Sequence, residues 1–135
     1  MAKDAKSKTI RPDGVGCWLP YPPTVNHYFK RGRGGHVYLS REAVTFREEV
    51  AKRLEGGPSM PILGPLHLTI EVYPPDKRKR DLDNVLKCLL DACQHGGLYK
   101  DDAQVKEIHA KMWPKGDKAG VRLAAWPEAS LEEKK

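Results

Sequence analysis

The chain has 135 residues, enough for one domain that buries about two thirds of its unfolded surface in a single core. Hydrophobic residues make up 39% and charged residues 31%, with no apolar run of bilayer length, which excludes a membrane-spanning helix. The formal net charge is +6, and the tails carry little of it: residues 1–16 hold four basic and two acidic side chains and residues 127–135 two and three, leaving +5 on the body. A basic folded surface favours a polyanionic partner, although many soluble proteins are basic for no such reason.

Residues 1–16 are polar, Lys-rich and aperiodic, without a secretory apolar stretch, and residues 127–135 form a short charged tail. Both read as disordered or frayed ends around a domain at 17–126, expected in the cytoplasm. Cys17, Cys88 and Cys93 are odd in number and form no C-x-x-C pair, so reduced thiols are expected.

The domain opens with a strand at Cys17–Leu19, stopped by Pro20, Pro22 and Pro23, followed by an aromatic and basic loop to Gly35. Within that loop Asn26, Tyr28, Lys30, Arg31 and Arg33 combine stacking and phosphate-binding groups without an acid, a pattern suited to unpaired nucleic acid. A plain surface loop with Tyr28 or Phe29 folded into the core explains the same residues. His36–Leu39 reads as a second strand.

Ser40 is the expected N-cap of a helix carrying Ala43, Phe46, Val50 and Leu54 on one stripe, closed by Gly56, Gly57 and Pro58. Leu66, Leu68, Ile70 and Val72 alternate with polar residues, the period of a strand with one buried face. A second helix has Leu82, Val85, Leu86, Leu89, Leu90 and Cys93 on one face and ends at Gly96–Gly97. Gln104–Trp113 and Val121–Trp126 alternate as two more strands, read as a hairpin around Lys115–Gly120. The fold class is therefore α/β, a small mixed sheet of about four to five strands with two helices packed against it.

At the mouth of the second helix, Lys77, Arg78, Lys79 and Arg80, four cations read as DNA contacts that attract the phosphate backbone, precede Asp81 and Asp83. Residues two apart on a helix point in opposite directions, so these two carboxylates converge only if Asp81 is the N-cap. Asp at an N-cap and in a first turn also stabilises a helix on its own account. Asp101–Asp102 follows the same helix by a turn; antiparallel pairing of the next strand with the one ending at Tyr73 would bring Asp102 to Asp81 and Asp83. Three clustered carboxylates repel unless a cation offsets them, and oxygen donors of this kind suit Mg²⁺. Lys87, four residues after Asp83, is either a rung of a solvated Asp–Lys–Asp ladder with Asp91 or an ammonium beside the pocket. The histidines show no metal-ligand spacing and no nucleotide-binding motif occurs.

The strings Pro22-Pro23-Thr24-Val25-Asn26, Asp81-Leu82-Asp83-Asn84 with Lys87 after it, and Asp101-Asp102-Ala103-Gln104-Val105 resemble, in this order and spacing, the RusA family of Holliday junction resolvases. The likeness runs from about Trp18 to Trp126. It implies a RusA-like fold and a homodimer, acting with Mg²⁺ or, in its place, Mn²⁺, that nicks opposed strands of four-way junction DNA in recombination and repair. By the same resemblance Asp81, Asp83 and Asp102 are the metal-binding carboxylates and Lys87 the essential lysine. A non-catalytic DNA-binding module and a less selective nuclease for flaps or single strands are the alternatives. The small size also suits a phage or prophage gene.

Overall fold

The computed structural model describes residues 14–55 and 61–128. β1 covers Val15–Leu19, starting two residues before the expected strand, and the last strand closes at Pro127. After β1, the segment expected to be loop folds into a one-turn helix α1 (Val25–Tyr28) and a short strand β2 (Phe29–Arg31). Thr24 caps α1 by accepting the His27 N–H. β2 pairs antiparallel with β3 (Val37–Leu39), turning the aromatic and basic segment into a small hairpin.

α2 (Arg41–Leu54) starts where its sequence says it must, with the Ser40 hydroxyl accepting the Ala43 N–H at 3.0 Å. Glu42 in its first turn and Lys52 and Arg53 in its last oppose the helix dipole. Ala43, Phe46, Val50 and Leu54 are all buried. The glycines and proline expected to end this helix lie outside the described residues.

β4 (Leu66–Tyr73) is the central strand of a four-stranded sheet ordered β1–β6–β4–β5, where β5 is Val105–Met112 and β6 is Gly120–Pro127. Leu66, Leu68, Ile70 and Val72 share one face with Leu19, Val121, Leu123 and Ala125, and α2 and α3 (Leu82–His95) close the core against them. α3 buries Val85, Cys88, Leu89, Ala92 and Cys93, while Leu82, Leu86 and Leu90 stay only partly covered. Cys88 and Cys93 are free and buried and Cys17 is free and half-buried.

Two expectations about the sheet are corrected. β5 lies parallel to β4, with Leu68 beside Ile108 and Val72 beside Met112, so β4–α3–β5 is a crossover unit whose helix supplies the long connection a parallel pair requires. β5 and β6 form no hairpin: β6 pairs antiparallel with β4 on its other side. The connection 113–119 consequently passes around the end of β4, where the Trp113 N–H donates to the Val72 carbonyl at 2.8 Å. There Trp18, Tyr73 and Trp113 form an aromatic row, with ring centroids 5.6 and 6.3 Å apart. Gly120, at φ +152°, has Trp18 ring atoms 2.4 Å from where a Cβ would stand, so only glycine fits beneath that row.

Candidate functional site

Asp81 occupies the N-cap of α3 in extended backbone, and its carbonyl accepts the Val85 N–H, yet its carboxylate makes no capping hydrogen bond. The side-chain contact it does make is with the Asn84 amide, at 3.4 Å. Asp83 stands in the first turn of the helix, and both aspartates are exposed. A capping role therefore does not account for Asp81.

Asp101 and Asp102 differ in the same respect. They enter a 3₁₀ turn, Asp102–Gln104, in which Asp101 accepts the Ala103 N–H at 2.9 Å and Gln104 accepts the Asp101 N–H at 3.1 Å, a reciprocal capping box. Gln104 also donates to the Ile62 and Gly64 carbonyls, fixing the turn to the start of β4. Asp101 is thus committed to the backbone, whereas the exposed Asp102 carboxylate takes no part in the box.

The three carboxylates do not meet within one chain. The Asp102 N–H donates to the Gln94 side chain in the last turn of α3, while Asp81 and Asp83 begin that helix. At 1.5 Å per residue the ends are separated by roughly 20 Å. The parallel register of β5 is the cause, since it starts the strand beside Leu66 rather than beside Tyr73. Among the described residues no group of three or more His, Cys, Asp or Glu side chains is placed to hold a metal ion.

Around the Asp81 end the structure gathers most of the cationic candidates. Lys77, Arg78 and Lys79 are exposed, with the Arg78 guanidinium 3.4 Å from Asp76, and Arg80 is more firmly held: it grips Asp76 with two nitrogens, at 2.6 and 3.0 Å, and lies over the Tyr21 ring. Arg80 and the Arg78 N–H hold the Asp76 carboxyl well below the usual carboxylate range. Arg80 therefore shapes the run rather than presenting its charge. A cleft lined by Tyr21, Pro23, Asn26, Lys79, Asp81 and Asn84 connects the run to the Pro-Pro segment. A second, lined by Asn26, Phe29, Lys30, Arg31 and Lys87, sets the hairpin against α3, with the Lys87 ammonium 5.7 Å from the Phe29 ring centre. Arg33 lies in the exposed 3₁₀ turn at the hairpin tip.

Tyr28 is corrected from a DNA-contacting residue to a core residue, 0% exposed. Its hydroxyl donates to Asp91, which also accepts two bonds from Arg47 of α2, at 2.9 and 3.0 Å. Burial, reinforced by Asp91, pushes the Tyr28 hydroxyl pKa up. Burial alone would lower the Arg47 pKa, but its bonds to Asp91 reverse the direction. Asp91 is therefore the knot between α1, α2 and α3, one turn beyond Lys87, and is not available as a metal ligand. Arg47 carried no signal in the sequence, because its partners lie 19 and 44 residues away.

Comparison with known proteins bears on the chain as a whole. The family model described as Endodeoxyribonuclease RusA matches residues 20–124. A crossover junction endodeoxyribonuclease of Enterobacteria phage 82 is 38% identical over 99 residues, covering 71% of this chain and 80% of its own. One from Escherichia coli strain K12 is 35% identical over 97 residues, covering 71% and 80%, and one from Enterobacteria phage HK97 is 37% identical over 109 residues, covering 78% and 89%.

Proposed function

The chain belongs to the RusA family of endodeoxyribonucleases, and we propose on that footing that it cuts four-way junction DNA with paired nicks, as a homodimer and with Mg²⁺. The observation that carries the reading is the division of labour among the aspartates. Asp101 serves a cap, Asp91 serves Arg47 and Tyr28, and Asp81, Asp83 and Asp102 are left exposed without a comparable structural task.

These three fit a hard divalent cation in donor chemistry, being carboxylate oxygens, the donors Mg²⁺ prefers. Their separation along α3 implies that the set is completed by a second copy. A two-fold pairing that laid α3 antiparallel to its counterpart would bring each Asp102 to the other chain's Asp81 and Asp83. The partly covered stripe Leu82, Leu86 and Leu90, which runs the length of α3, is the apolar surface such a pairing needs. Mg²⁺ held there would lower the pKa of an attacking water and offset charge developing on the phosphate. Lys87, on the same helix as Asp83 and exposed, would place the scissile phosphate. Asn26, Lys30 and Arg31 beside it, with Lys77 to Lys79, would hold the flanking backbone.

The test is nicking of a synthetic four-way junction with and without EDTA, by wild type, Asp81→Asn, Asp102→Asn and a mixture of the two variants. Each variant alone should be inactive. In a mixed dimer one site regains Asp81 from one chain and Asp102 from the other, so the mixture should make single, unpaired nicks. A mixture as dead as its parts would contradict the shared site; full activity of Asp81→Asn alone would contradict the chemistry.

A further inference from the structure

The parallel register that carries Asp102 away from Asp81 brings another segment toward it. β5 ends beside the end of β4, so the start of the connection 113–119 lies against the basic run. Between them opens a groove that reaches Asp81, lined from the connection by Trp113 and Lys115 and from the run by Lys77, Arg78 and Lys79. Lys115 and the three cations of the run are exposed. Asp76, the other acid of the groove, is already neutralised by Arg80. Beyond the groove, Lys111 stands 3.7 Å over the Trp113 ring and Lys118 4.9 Å over the Trp18 ring, so cations continue along the aromatic row at the end of the sheet.

We propose that this groove and the lysines beyond it seat the sugar–phosphate backbone of a duplex arm leading to the cut, making Lys115 and Lys118 DNA contacts contributed by a segment outside every motif named above. The proposal rests on the nuclease reading, which supplies the polyanion and fixes one of its phosphates at Asp81. The site is concave, cationic and continuous with the carboxylate end of α3, and its indoles are held in place by Tyr73 and by the capping lysines. Those features match a backbone track rather than a pocket for a small anion. Sequence-independent contact is expected, because ammonium groups neutralise phosphates and release counterions without reading bases.

Lys115→Gln, the Lys115→Gln/Lys118→Gln pair, Lys115→Arg and Lys52→Gln would be titrated by fluorescence anisotropy against a labelled junction and a labelled linear duplex, in EDTA, over a series of salt concentrations. Lys52 is exposed in the last turn of α2 and lines none of the clefts described above, and its substitution changes the net charge as Lys115→Gln does. Lys115→Gln should weaken binding about five- to tenfold and reduce the slope of log affinity against log salt by about 0.9, with the pair losing about twice that slope. Lys115→Arg should restore wild-type binding, and Lys52→Gln should bind as wild type. Unchanged slopes for the pair, or an equal loss in Lys52→Gln, would overturn the groove. A wild-type chain that binds duplex but never nicks junctions would count against the nuclease reading, and the duplex slopes would still decide the groove.

Discussion

At the scale of single residues, two neighbouring aspartates separate structure from the proposed chemistry. Asp101 holds a turn together and Asp102 does not, so Asp101→Ala should lower stability by about 1 kcal/mol, the ordinary worth of a cap. Asp102→Asn should leave the thermal midpoint within about 1 °C and abolish nicking; urea titration and the junction assay on both variants check the contrast. Gly120→Ala is the sharpest steric prediction. The added methyl meets Trp18 and the Leu19 carbonyl at a backbone angle that disfavours any side chain, and a loss of about 2–3 kcal/mol is expected by denaturant unfolding. The sequence marks Asp81, Asp83 and Asp102 as the residues to watch but does not assign Asp101 to a cap, since its reciprocal bond with Gln104 depends on the 3₁₀ turn itself. It likewise places Arg80 among the DNA contacts; the four-residue spacing to Asp76 hints at pairing, but that segment is no helix, so the spacing alone decides nothing.

At the scale of elements, periodicity was a reliable guide wherever an apolar face meets the core. Ser40 and the stripe through Leu54 fixed α2, and the alternation from Leu66 fixed β4. The errors concern pairing, which local pattern does not encode. Strand, helix and strand in succession is itself a sign of parallel pairing, and that order was present in β4, α3 and β5; the turn-like Lys115–Gly120 drew the reading toward a hairpin instead. Proline and glycine likewise masked α1 and β2. What holds that segment to the helices is the Asp91 knot, so Arg47→Met should cost about 2 kcal/mol by leaving Asp91 short of its partners, and should lower junction binding by loosening the hairpin beside Lys87. Loss of stability with binding unchanged would confine the knot to a structural role.

For the molecule as a whole, the buried thiols set an alkaline limit. Burial pushes both Cys17 and Cys88 up to about 11. A raised folded-state pKa contributes stability that is complete below the unfolded thiol value, about 8.5, and is lost as pH rises through the folded one. Thermal midpoints measured from pH 7 to 11 should therefore stay level to about pH 8.5 and fall above it, and Cys88→Ala should flatten part of that fall. Native alkylation with iodoacetamide at pH 8 should be correspondingly slow at Cys88. A fall beginning at neutral pH would show that other groups dominate.

The length of α3 has a consequence of a different kind. With Asp81 at one end of the helix and Asp102 at the other, the proposed pairing would leave an isolated chain with only fragments of two cutting centres. A nuclease built that way would be harmless to the genome until two copies met, and would then have both blades at once, because the encounter that completed one centre would complete its twin. Activity should fall with the square of chain concentration once dilution outruns association, and the paired nicks should stay paired throughout, since half an assembly cuts nothing.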